Sequence, residues 1–168
     1  AGAISPKLRA GDLVLPESIY NERPLPVSLS WRNRIHKHLP SHLRIIGGKL
    51  ATSKKILTSM TEKQKFAEIT GACAVDLESG AVAEVAENSN IPFLAIRSIS
   101  DPIEFSPPLA LLDAVNPDGS TNITQIISLL LKQAITLSTL MRLAKEVRSA
   151  RATLSDVVQH AGIELGIK

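Results

Sequence analysis

The chain has 168 residues, 44% hydrophobic and 21% charged, with 10 Pro, 9 Gly and a single Cys, which suits one ordinary globular α/β domain with a substantial core. That composition excludes a disordered tail, a collagen-like chain and a disulfide scaffold. The net charge of +3 is mildly basic, but aromatic residues make up only 3% of the chain. They do not interleave with Lys and Arg as stacking platforms would, which argues against a nucleic acid polymer as partner.

In chain order, Asp12–Pro16 is a short apolar run between Gly11 and Pro16 that predicts a strand, followed by a loop through Pro24 and Pro26. Trp31, Ile35 and Leu39 recur at i, i+4 and i+8, so residues 30–39 form a basic amphipathic helix ended by Pro40. Leu43–Gly48 reads as a strand closing on a glycine pair. Ser59 and Glu62 have capping-box spacing and open a helix that stops before Gly71. Ala72–Val75 is a buried strand, and Asp76 is expected to cap a helix through Asn88 whose apolar face holds Leu77, Ala81, Val85 and Ala86.

Pro92 breaks that pattern, and Phe93–Ile99 carries the strongest strand signal, apolar enough to be covered on both faces. A Pro-rich loop at Ser106–Pro108 and a turn at Pro117–Gly119 precede two helices, near Asn122–Leu131 and Thr136–Ala152. The alternation of strand and helix through residues 12–105 predicts a doubly wound sheet with helices on both faces. Residues 1–168 are expected to form a single domain, with 120–168 as its helical C-terminal segment. The longest charge-free stretches fall short of the roughly 20 apolar residues that span a bilayer. With no secretory leader and one Cys in an apolar run, the expectation is a cytoplasmic protein.

Ligands of such sheets bind beyond the carboxyl ends of strands. Three segments lie there: Ala1-Gly2-Ala3, Asp76-Leu77-Glu78-Ser79 and Ser98-Ile99-Ser100-Asp101. Glu78 falls in the first turn of its helix, where the macrodipole favours an ionised carboxylate. Asp101 ends a buried strand, where burial raises a carboxyl towards holding its proton. Two carboxylates in unlike surroundings suggest one acid and one stabilising anion. Asp76, as a helix cap, is left out of that pair. His36, His38 and His42 lack the spacing of a zinc site, Cys73 reads as a small core residue, and Gly47-Gly48 is no dinucleotide fingerprint.

The ordered set Ala74-Val75-Asp76-Leu77-Glu78-Ser79, Ile91-Pro92-Phe93 and Arg97-Ser98-Ile99-Ser100-Asp101 resembles the purine nucleoside phosphorylase and nucleosidase superfamily. The opening Ala1-Gly2-Ala3-Ile4-Ser5-Pro6 through Gly11-Asp12 is similar to that family as well. Pro107-Pro108-Leu109-Ala110, Pro117-Asp118-Gly119 and the basic C-terminal helices look most like its hopanoid-associated phosphorylase branch. The resemblance implies a three-layer α/β/α domain with a mixed sheet, and family strands that precede Ala1. It implies cleavage of the N-glycosidic bond of a purine nucleoside, adenine being the expected base, by phosphate or water. In the branch, the substrate would be an adenosyl-capped hopanoid.

By the same resemblance, Asp101 matches the general acid that protonates purine N7, and Glu78 the carboxylate that grips the ribose hydroxyls. Leu77 lies beneath the sugar, Ser100 orients Asp101, and Ala1 and Gly2 line the base site. One departure is that Leu50-Ala51-Thr52 stands where relatives place a base-stacking aromatic residue. No cofactor or metal is implied, inorganic phosphate being the one candidate co-substrate, and a homo-oligomer is expected by analogy. The alternative is a non-catalytic nucleoside-binding or scaffold protein of the same fold. The helix carrying Arg142, Lys145, Arg148 and Arg151 beside Leu137, Leu140, Met141 and Leu143 is either a solvated face or a peripheral membrane contact.

Overall fold

The structure, a computed structural model, describes residues 1–105, 111 and 122–166. The expected Pro-rich loop at Ser106–Pro108, the segment Pro107–Ala110 and the turn at Pro117–Gly119 lie outside them. The described strands are β1 (Gly2–Ala3), β2 (Leu13–Val14), β3 (Ser18–Asn21), β4 (Arg23–Pro26), β5 (Ile45–Ile46), β6 (Lys49–Thr52), β7 (Ala74–Asp76) and β8 (Arg97–Ser98). The helices are α1 (Leu29–His38), α2 (Met60–Thr70), α3 (Ser79–Asn88), α4 (Ile123–Leu131) and α5 (Leu137–Ala161), followed by a 3-10 turn at Gly162–Leu165.

Five strands pair in the order β1-β7-β6-β3-β4 and three in the order β5-β2-β8. The central pairs β3·β6 and β6·β7 are parallel, while β1·β7 and the β3·β4 hairpin are antiparallel, so the sheet is mixed. The two sets are joined end to end. Leu15 N–H donates to Ile46 O at 2.9 Å and Glu17 N–H to Gly48 O at 2.7 Å, carrying the β2·β5 ladder into β3·β6.

Alternation along the strands separates two buried faces. Ala3, Leu50 and Ala74 point into a cluster with Val14, Ile19 and Ala83 of α3. Their neighbours Ile4, Ala51 and Val75 point the other way, against Phe66 and Ala67 of α2. This is the mixed α/β arrangement expected, with helices over both faces. On the β2 side, Thr153 of α5 donates its hydroxyl to Gly11 O at 2.6 Å.

The termini of α2 follow local chemistry closely. Ser59 accepts the Glu62 N–H at 3.2 Å, and Gly71 closes the helix in the left-handed region at φ +64°. Glu62 does not reach back to the cap residue; its carboxylate takes the Thr58 N–H at 2.9 Å and hydroxyl at 3.1 Å instead.

Five expectations need correction. The loop through Pro24 and Pro26 is strand β4, tolerated because β4 is the edge of its sheet, where a missing N–H costs no ladder bond. The chain does not leave the sheet at Gly47-Gly48; Gly48, at φ +87°, only turns it into central strand β6. Of Phe93–Ile99 only Arg97–Ser98 pairs as a strand. Helix α3 buries Ser79, Gly80, Ala83 and Ala86, while Leu77 and Val85 stay exposed, so small residues rather than the larger apolar ones face the sheet. Helix α5 also runs on to Ala161, nine residues beyond the expected Ala152.

Candidate active site

All six residues singled out in the sequence, Ala1, Gly2, Leu77, Glu78, Ser100 and Asp101, line one cavity of about 270 Å³. The sheet brings them together. Strand β1 lies between β7 and the chain leaving β8: Gly2 pairs with Val75 on one side and bridges Asp101 on the other. Ser100 N–H donates to Ala1 O at 3.0 Å, and Ala3 N–H to Asp101 O at 2.7 Å. The backbone of residues 1–3 therefore fixes where the Asp101 side chain leaves the chain.

Asp101 has two differently employed oxygens. Oδ2 lies 2.8 Å from Lys63 Nζ, whereas Oδ1 is buried and has no hydrogen-bond partner among the described residues. Burial pushes the Asp101 carboxyl above the usual carboxylate range, against the pull of the Lys63 hydrogen bond and charge. A Cβ on Gly2 would lie 3.1 Å from Oδ2, so a residue without a side chain is what lets β1 pass the carboxylate this closely.

Glu78 is exposed and precedes α3, with no hydrogen bond from its side chain to the helix. It holds the N-terminal end of α3 and lines the cavity. Leu77 is 44% exposed beside it, a large apolar side chain left facing open space. Such a surface suits the non-polar side of a sugar. The Ser100 hydroxyl makes no hydrogen bond to Asp101, so the carboxylate is held by Lys63 and not by Ser100 as expected.

Asp76 also borders the cavity, but its bonds turn inward. It accepts from Ser79 N–H at 3.1 Å, Ser79 Oγ at 2.5 Å, Thr52 Oγ1 at 3.1 Å and Arg97 Nε at 2.8 Å. Burial works to raise its carboxyl, yet the Ser79 and Arg97 hydrogen bonds prevail and hold it below the usual value. Asp76 thus supports the start of α3 from the end of β7 rather than from the cap position, which Glu78 occupies.

Sequence reasoning missed Lys63 and the segment Lys55–Leu57, both lining the cavity. Lys63 looks like any polar residue of a helical first turn, and only the tertiary structure shows it to be 1% exposed. The segment expected opposite the base, Leu50-Ala51-Thr52, is strand interior, with Leu50 and Ala51 fully buried. The residues after β6 that line the cavity are Lys55, Ile56 and Leu57.

Elsewhere, His42 pairs with Asp156 at 3.0 Å and His38 bonds its own helix. Among the described residues no group of three His, Cys, Asp or Glu is placed to hold a metal. Cys73 is half-buried, and burial raises its thiol. No helix among the described residues is long and apolar enough to cross a membrane. On α5, Leu137 and Met141 are exposed, Leu140 and Leu143 are half-buried, and Arg142 pairs with Glu146 and covers the Phe105 ring at 4.5 Å.

Comparison with solved structures finds the same fold. The chain is similar to a 5′-methylthioadenosine/S-adenosylhomocysteine nucleosidase from Neisseria meningitidis in complex with methylthio-immucillin-A, at TM-score 0.66 and 12% identity, over 94% of this chain and 64% of that one. It is similar to the Helicobacter pylori nucleosidase of the same name, at TM-score 0.63 and 17% identity, over 95% and 65%. A futalosine hydrolase mutant from Helicobacter pylori matches at TM-score 0.57 and 21% identity, over 60% and 54%. The match thus extends over about half to two thirds of the length of these proteins. No curated protein matches the sequence. The family profile described as the phosphorylase superfamily matches residues 1–132, well over half the chain, and this chain belongs to that superfamily.

Proposed function

We propose that the cavity cleaves the N-glycosidic bond of a purine nucleoside, with adenine as the base. The observation that carries this reading is the convergence on one cavity of Asp101, raised by burial and with Oδ1 unpartnered, and the exposed carboxylate of Glu78. Protonated Asp101 gives its proton to purine N7: the carboxyl O–H bond breaks, an N7–H bond forms, and the base departs neutral with the glycosidic electron pair. Glu78 accepts hydrogen bonds from the ribose hydroxyls and faces the positive charge developing on the ring. Leu77 lies against the sugar, and the backbone of Ala1 and Gly2 borders the base. The anomeric carbon then forms its new C–O bond either to water, whose proton passes to solvent, or to the phosphate dianion, and Asp101 regains its proton from solvent.

The test is adenine release from adenosine by the chain and by Asp101→Asn, with and without phosphate. Release lost in the variant supports the reading, and its dependence on phosphate separates phosphorolysis from hydrolysis. If ligand binds and neither protein releases adenine, the chain is a nucleoside-binding member of the fold. An adenosyl-capped hopanoid, assayed beside adenosine, tests the substrate that the branch resemblance implies; turnover of adenosine alone would remove it. Exposed Leu137 and Met141 beside Arg148 and Arg151 support peripheral contact of α5 with an anionic bilayer. Co-sedimentation with anionic vesicles unchanged in a Leu137→Ser, Met141→Ser variant would remove that contact. A homo-oligomer is part of the same proposal, and light scattering at a monomer mass would overturn it.

A further inference from the structure

We infer that Lys63 is a positioning residue for Asp101: its ammonium holds Oδ2 and so fixes the carboxyl at the cavity, and it sets the pH range in which the acid carries its proton. The inference rests on the general-acid reading of Asp101 given above.

A lysine ammonium has three donors, and Lys63 spends them on Asp101 Oδ2 at 2.8 Å, Phe105 O at 3.1 Å and Pro102 O at 3.2 Å. The side chain is 1% exposed, rare for lysine. It also sits in the first turn of α2, the end of a helix at which a cation is unfavourable. Nothing in the helix itself calls for a cation there; the buried carboxylate and the two carbonyls of the chain leaving β8 do. Oδ2 is held by this ammonium, and Oδ1, itself buried, is the oxygen without a partner among the described residues.

The charges facing Asp101 come from several elements. Lys63 of α2 and the α-amino group of Ala1 favour its ionised form, while Glu146 of α5 and burial favour its protonated form. Lys63 is the strongest of the ionising influences. Removing it leaves burial and Glu146 opposed only by the Ala1 α-amino group, so the carboxyl keeps its proton to higher pH. Because activity would need that proton, the limb where activity falls with rising pH moves upward as well. A residue that served only as a packing post would leave both midpoints in place.

The first measurement is on the unaltered chain: the ¹⁵Nζ resonance of Lys63 followed by NMR across pH, with Asp101→Asn as control. A titration step at the midpoint of the Asp101 carboxyl, absent from the control, is expected; no such step overturns the inference without any Lys63 variant having to fold. The second is the ¹³C carboxyl titration of Asp101 in Lys63→Met and Lys63→Arg. The Met variant should raise the midpoint and the Arg variant should restore it, as expected for a neighbouring cation. An unmoved midpoint in the Met variant overturns the inference. In the adenine-release assay, Lys63→Met should lower kcat more than it changes KM and shift the alkaline limb upward, with rescue by Arg. Should Asp101→Asn retain full release, the general-acid reading fails on its own, whatever the NMR coupling shows.

Discussion

Asp76 ends β7 and Asp101 lies just beyond β8, on the two sides of β1; both border the same cavity, and each is paired with one basic side chain. They differ in what is left over after pairing. Asp76 accepts four hydrogen bonds from Ser79, Thr52 and Arg97 and is held below the usual carboxylate range. Asp101 has one oxygen on Lys63 and the other on nothing, and burial carries its carboxyl above that range. A carboxylate whose lone pairs are all satisfied is structural, because a ligand has nothing to offer it that the protein does not already supply. A buried oxygen left unsatisfied costs stability, and it disfavours the ionised form of the carboxyl that carries it.

The largest effect should separate the two by function. Asp101→Asn is nearly isosteric, keeps an acceptor for Lys63 and removes the transferable proton. Adenine release should fall by roughly 10² to 10⁴-fold while nucleoside affinity stays within a few-fold. Steady-state kinetics with a binding titration would show this. A fall in affinity as large as the fall in rate would make Asp101 a binding group like any other and erase the functional half of the comparison.

Next in size is stability. Asp76→Ala leaves the Arg97 guanidinium without its carboxylate and removes the acceptor from buried Ser79, so unfolding in denaturant should show a loss of about 3 kcal/mol. Arg97 is itself 35% exposed on its side chain, which keeps the loss at the lower end for a broken pair. Asp101→Ala should cost at least as much, since it strips the carboxylate from an ammonium that is 1% exposed, whereas Arg97 can turn to water. A smaller loss in the Asp101 variant would show that the Pro102 and Phe105 carbonyls alone satisfy Lys63.

Close behind comes Gly80→Ala, at the start of α3 beside Asp76. A Cβ there would lie 2.7 Å from Asn21 Cβ and 2.9 Å from Thr52 Cβ, atoms of two strand residues that have little room to retreat. Overpacking of this kind costs about 1–3 kcal/mol. Because Thr52 bonds both Asp76 and the Gly80 N–H, the substitution should loosen the Asp76 network first. Thermal unfolding would register it, and an unchanged melting temperature would mean that α3 can shift off β3 and β6 freely.

How much of this was legible beforehand depends on how local the cause is. The ends of α2 could be read because Ser59 and Gly71 act on their own backbone, and the site segments because strand ends fall where apolar runs stop. Strand β4 could not be read through Pro24 and Pro26, since only the tertiary position of an edge makes proline harmless there. The face of α3 was misjudged because a helix lying close on a sheet selects small residues, Gly80, Ala83 and Ala86, against the usual weight given to large apolar ones. Lys63 was invisible for the same kind of reason: its partner is 38 residues away in sequence, and no spacing rule on α2 connects the two.

The smallest effect is also the one with opposite signs at the two sites, in the dependence of stability on pH. Asp76 is lowered in the folded protein, so its contribution is complete above the ordinary aspartate value near 3.9 and is lost as pH falls through the lower folded value. Asp101 is raised, so the folded state binds the proton more tightly than the unfolded chain does. Its contribution favours folding below the ordinary value and is lost as pH rises through the raised one. Denaturant midpoints measured between pH 2 and 7 should therefore bend in opposite directions in the two Asn variants relative to the parent. Asp76→Asn should remove part of the acid lability, while Asp101→Asn should remove part of the decline on the other side of the ordinary value. Two variants bending the same way would mean that Lys63 outweighs burial at Asp101, and that both carboxylates are ionised anchors with no proton to give.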